Sequence, residues 1–124
     1  MIKALVIDDI NEVAESLGLM LSLLDVSTTV AISLDAALVA IRDQPPDIIF
    51  LDLNMPGVSC FDLLAYLNSV LKLNTIPIVV VTSDDQKTTI DRAYMEGALS
   101  VIIKPVSFDM LERSLKAARL RSTY

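Results

Sequence analysis

Five apolar runs of strand length, separated by segments of helical periodicity, constrain this chain more than any other feature. They read IKALVID (2–8), VSTTVAI (26–32), DIIFLD (47–52), IPIVVVT (76–82) and LSVIIK (99–104). The first is almost continuously apolar, as a strand buried on both faces requires. The second alternates and is rich in β-branched residues, which predicts a less buried strand at an edge. Between the runs, apolar residues return every three or four positions. Ile10, Val13, Ala14, Leu17, Leu21 and Leu24 mark one helix. Leu34, Ala37, Leu38 and Ile41 mark a second, behind a Ser33 cap and ahead of Pro45-Pro46, and Phe61, Leu64, Ala65 and Leu71 a third. A more polar helix is predicted from about Gln86 to Glu96 with Gly97 as its C′ residue. Ser107 caps a last one, with Phe108, Leu111, Leu115 and Ala118 inward. Strict strand–helix alternation predicts an α/β fold, a doubly wound parallel sheet with helices on both faces.

At 124 residues the chain is expected to be one domain, residues 1–124, with 53% hydrophobic residues to fill its core. No apolar run reaches the eighteen or so residues that span a bilayer, and MIKALVIDD is no signal peptide. The single cysteine, Cys60, cannot make an internal disulfide and fits a reducing cytoplasm. It is expected to pack as a small half-buried residue and not to serve redox chemistry. A net charge of −6 argues against nucleic acid as a partner. Arg113, Lys116, Arg119 and Arg121 in the last segment read as a solvated helix face whose cations suit a helix C-terminus.

In a doubly wound sheet, function collects at the carboxyl ends of the strands. The first strand ends in Asp8-Asp9, the third in Asp52, the fourth in Thr82-Ser83 and the fifth in Lys104-Pro105. Taken singly, these are ordinary caps and turn formers: Asp52 in FLDLNMPG sits ahead of Asn, Pro and Gly, each favourable in a turn. Taken together, they place three acids, a hydroxyl and a lysine on one rim. Converging carboxylates resist ionisation unless a cation joins them. A hard divalent ion with oxygen ligands, Mg²⁺ above all, suits that set. A lysine and a hydroxyl can meet phosphate oxygens, and a carboxylate can itself be the nucleophile in phosphoryl transfer.

These residues, in this order and on these strand ends, resemble the receiver domain of two-component response regulators along the whole chain. The resemblance implies the five-stranded flavodoxin-like sheet of order 2-1-3-4-5. It implies that Asp52 is the phosphoacceptor, that Asp9 ligates Mg²⁺ directly and Asp8 through water, and that Asn54 gives the metal its backbone carbonyl. Thr82 and Lys104 would meet the phosphoryl oxygens, and the Lys104–Pro105 peptide is expected to be cis. The side chains of Asn54 and Asp84 would govern water's access to the acyl phosphate. The implied donor is a sensor histidine kinase or a histidine phosphotransfer protein. The implied receivers of the signal are a downstream protein target or an appended output domain, with a homodimer left open. Such a protein catalyses only its own phosphorylation and dephosphorylation.

Two positions depart from that family. Val101 stands where receivers usually carry Tyr or Phe, which predicts a muted switch, and Cys60 stands where many have glycine. The Val101 departure alone favours a non-cycling docking or dimerisation module. A haloacid-dehalogenase-type phosphatase would want an acid where Asn54 stands. An FMN carrier would want a Ser/Thr/Gly-rich phosphate loop where the chain has DDINEV.

Overall fold

The structure, a computed structural model, describes residues 2–55, 59–70 and 76–123, the side chains of Val70 and of residues 119–123 excepted. Pro56, Gly57 and Leu71 lie outside the described residues, as do the side chains of Arg119 and Arg121. The elements alternate as β1 (Ile2–Ile7), α1 (Asn11–Ser22), β2 (Val26–Ala31), α2 (Leu34–Asp43), β3 (Ile48–Asp52), α3 (Cys60–Val70), β4 (Ile78–Thr82), α4 (Lys87–Met95), β5 (Ser100–Ile103) and α5 (Phe108–Thr123). All strand pairs are parallel, in the order β2-β1-β3-β4-β5. β3 and β4, in the interior of the sheet, are buried at every residue, whereas β2 lies at an edge and alternates.

Successive side chains on a strand point to opposite faces, and the core divides accordingly. Ala4, Val6, Phe50, Val79, Val81 and Ile102 pack with α1 and α5 through Leu17, Leu21, Leu111 and Leu115. Leu5, Ile7, Ile49, Leu51 and Val80 pack with α2, α3 and α4 through Ala37, Ile41, Leu64, Leu67 and Ala93. Each fully buried Leu or Ile contributes on the order of 2 kcal/mol from its lost contact with water.

The helix ends follow their cap residues. Ser33 Oγ accepts the Ala36 N–H at 3.1 Å, and Ser107 Oγ accepts the Met110 N–H at 3.2 Å. Gly97 has φ +112°, and a Cβ there would lie 2.6 Å from the Asn68 side chain, so only glycine closes α4 against α3. Three helices differ from the periodic reading. Ile10 precedes α1 as its N-cap, and Ile10 and Val13 are both exposed, because the chain leaving β1 must first turn past Asp8. Phe108 opens α5 and is 39% exposed, so Leu111, Leu115 and Ala118 carry that helix's buried stripe. On α3 the deepest residues include Leu63 and Leu67 beside Leu64, while Phe61 lies toward α4 with the Arg92 guanidinium 4.3 Å from its ring centre.

Candidate functional site

The two-residue period of the strands decides which polar groups meet. Phe50 faces α1 and α5, so Asp52, two residues on, faces the same way. Asp8 follows Val6 and Lys104 follows Ile102 in the same sense. Thr82 follows Val80 instead and emerges on the face of α3 and α4. The register sets these ends level, with Ile7 beside Leu51, Asp52 beside Val81 and Thr82 beside Ile103.

Asp8, Asp9 and Asp52 each present a carboxylate oxygen, and the three lie within 4.8 Å of one another. Asp8 and Asp52 are buried, and Asp9 is exposed. Asp8 Oδ1 accepts the Ile10 N–H at 2.9 Å. Asp52 Oδ1 accepts the Asn54 N–H at 2.9 Å and the Lys104 ammonium at 3.3 Å. Asp52 Oδ2 is buried and has no hydrogen-bond partner. The Lys104–Pro105 peptide is cis. Between α1 and the loop after β5, a cavity of about 390 Å³ reaches this cluster over Val13, Leu17, Phe50 and Val106.

Thr82 is engaged elsewhere. Its hydroxyl donates to Asn54 Oδ1 at 3.3 Å and accepts the Asp84 N–H at 3.1 Å. Asn54 Oδ1 also accepts the Ser83 N–H at 3.1 Å. Sequence reasoning gave Asn54 a carbonyl for the metal and a side chain beside water's path; the tie to Thr82 and Ser83 was not legible. Asp84 accepts the Thr89 hydroxyl at 2.7 Å and the Gln86 N–H at 2.9 Å, bonds that hold its carboxyl below the usual range. The pattern of an Asp two residues before a helix N-cap carries the signal for that second interaction.

Cys60 is buried, and burial pushes its thiol up, with the Asp52 and Asp9 charges adding to the effect. A protonated thiol is a poor nucleophile, in keeping with a packing role. Val101 is partly buried against the core on the α4 side.

Burial pushes the Asp8 carboxyl above the ordinary carboxylate range, with the Asp52 charge adding to the shift and the Ile10 N–H opposing it. The folded protein therefore holds the Asp8 proton to higher pH than the unfolded chain, and stability falls as pH rises between the two values. The cost is absent below the ordinary value and complete above the raised one. Asp8→Asn keeps an oxygen for the Ile10 N–H and removes the charge. In EDTA at neutral pH it should raise the melting temperature by about 3 °C, and at about pH 3, below the ordinary carboxylate value, the difference should vanish. A gain of the same size at both pH values would refute the assignment.

The sequence profile of the response regulator receiver domain matches residues 4–116. The chain is a member of that family. Among curated relatives, the receiver is 31% identical to the transcriptional regulatory protein KdpE of Mycobacterium tuberculosis over 99% of its own length and 53% of that protein's. It is 30% identical to protein PilH of Pseudomonas aeruginosa over 61% of its length and 63% of the relative's. It covers 33% of the rice two-component response regulator ORR2, at 34% identity. The receiver thus spans one third to under two thirds of these relatives. A crystal structure of a two-component response regulator from Clostridium difficile superposes with TM-score 0.89 at 25% identity, covering all of both chains. Receiver domains generally bind Mg²⁺ through acidic residues, and the Asp8, Asp9 and Asp52 cluster fits such an ion: three carboxylates, one of them with a buried unengaged oxygen, converge beside Lys104. No helix among the described residues is long and apolar enough to cross a membrane.

Proposed function

We propose that this receiver domain takes a phosphoryl group on Asp52 in a Mg²⁺-dependent reaction and signals by changing which partners it binds. The observation that carries this reading is the asymmetry of the Asp52 carboxylate. One oxygen is pinned by Lys104 and the Asn54 N–H, and the other is buried and unengaged. A nucleophile fixed in orientation, with one lone pair held free, has already met the ordering cost of attack.

In the reaction, the unengaged Asp52 oxygen forms a bond to phosphorus in line with the donor. The phosphorus–nitrogen bond of a phosphohistidine breaks, its electron pair stays on the ring, and the departing imidazole takes its proton from solvent. Lys104 then pairs with a phosphoryl oxygen, and Thr82 donates its hydroxyl proton to another. Asp8, Asp9, Asp52 and the Asn54 carbonyl would hold Mg²⁺, which when bound offsets charge on the transferring phosphoryl oxygens. Water attacking the same phosphorus breaks its bond to the Asp52 oxygen, which leaves as the carboxylate, and inorganic phosphate departs with the water's oxygen. The domain therefore turns over only itself.

The donor in this reading is a sensor histidine kinase or a histidine phosphotransfer protein in the cytoplasm, and the output lies in a downstream protein or an attached domain. Arg113 and Lys116 are exposed, and Lys116 sits 3.9 Å from Glu112 one turn back, as on a solvated helix face. Intact-mass spectrometry after incubation with acetyl phosphate tests the proposal. One added phosphoryl group is expected with Mg²⁺ and none with EDTA. A mass unchanged under both conditions would leave a non-cycling docking module as the better description.

A further inference from the structure

We infer that the Asn54 side chain is a clasp that withholds the Thr82 hydroxyl from the phosphoryl site, and so sets how readily phosphorylation moves the domain out of its resting arrangement. This rests on the acceptor reading above and extends it to the regulation of the same site.

A threonine hydroxyl has one proton to donate. That of Thr82 is directed at Asn54 Oδ1, and its oxygen is occupied by the Asp84 N–H. Asn54 Oδ1 also takes the Ser83 N–H at 3.1 Å and lies 3.4 Å from the Ser83 hydroxyl. One amide oxygen therefore ties the loop after β3 to the turn after β4, while the backbone N–H of the same residue orients Asp52. A phosphoryl group on Asp52 brings about two negative charges and accepts a proton more strongly than a neutral amide. To serve it, Thr82 must leave Asn54. Three donors share one oxygen, and both hydroxyl contacts, at 3.3 and 3.4 Å, are longer than an ordinary O–H···O bond, so the clasp is weak enough to open. A carboxylate at position 54 would grip the hydroxyl by a charge-assisted bond and repel the phosphoryl group as well.

Beryllofluoride with Mg²⁺ mimics the phosphoryl group without hydrolysis, so its affinity reads the switch and not the lifetime of the phosphorylated state. Asn54→Ala keeps the backbone N–H on Asp52 and removes the clasp. Its affinity, measured by titration of amide resonances, should rise about fivefold, the worth of one neutral hydrogen bond. In a Thr82→Val background the same change should alter affinity by about twofold or less, because the effect passes through the hydroxyl. The Ser83 amide resonance of ligand-free Asn54→Ala should also shift toward its beryllofluoride-bound position. An affinity that does not rise, or a rise that persists in Thr82→Val, overturns the clasp. If Asn54→Ala fails to fold, Asn54→Asp carries the test with the opposite sign: affinity falls, and falls less in Thr82→Val; any other pattern overturns it. A parent protein that binds no beryllofluoride would refute the acceptor reading itself, and the clasp with it.

Discussion

Asp52→Asn should accept no phosphoryl group from any donor, and yet melt at a higher temperature than the parent when both are free of metal. The loss is complete because the amide offers no anionic oxygen to attack phosphorus. The gain comes from the surroundings. Asp52 is 3% exposed, one of its oxygens has no donor, and its nearest charged neighbours include Asp8 and Asp9. Asparagine keeps an oxygen for the Lys104 ammonium and the Asn54 N–H, and its amide N–H₂ can donate to the Asp8 carboxylate. A buried like-charge pair is thereby replaced by a hydrogen bond, a gain on the order of 1 kcal/mol. The stabilisation that millimolar Mg²⁺ gives the parent should shrink sharply, since ligand stabilisation follows affinity for the folded state. Thermal melts with EDTA and with Mg²⁺, beside intact-mass spectra, check all three. A variant that melts lower than the parent in EDTA would show that the Lys104 ion pair outweighs the repulsion.

Phe50→Ala should destabilise the fold by about 3–5 kcal/mol, which is a large share of the stability of a domain this size. Phe50 is 1% exposed at the centre of β3, on the face covered by α1 and α5. Its removal leaves a void continuous with the cavity of about 390 Å³ that reaches Asp52. The packed wall on that side supports the strand two residues before the acceptor. Urea titration should therefore show an early midpoint with a largely unchanged slope. A loss below about 1 kcal/mol would mean that α1 closes over the void.

The sheet and its rim of polar groups were legible because both rest on local rules. A strand's period of two and the habit of parallel sheets to end in functional loops place Asp8, Asp52 and Lys104 without knowledge of distance. Periodicity was weaker at helix beginnings. Ile10 and Phe108 match an apolar stripe in spacing, but a first turn lies at the rim of the sheet and leaves them partly in water. Cys60 is more deeply buried than its small size suggested, since it belongs to the core cluster of Leu51, Met55, Leu63 and Leu64. The Asn54–Thr82 contact was not legible, because neither residue's type names its partner across 28 positions. The side of the sheet on which Thr82 emerges was in principle legible from the alternation with Val80.

The pairs that make this site are distant in sequence: Lys104 and Asp52 are 52 residues apart, and Thr82 and Asn54 are 28 apart. Contacts of that range close late in folding, because the loop entropy is lost before they form. β1 and β3 must be in register before the three acids share one oxygen-lined space, and β4 and β5 must join them before Thr82 and Lys104 come within reach. The repulsion among the acids is therefore deferred until the central strands of the sheet have paired. A nascent chain meets the electrostatic strain of its reactive centre only when the rest of the molecule is assembled well enough to bear it.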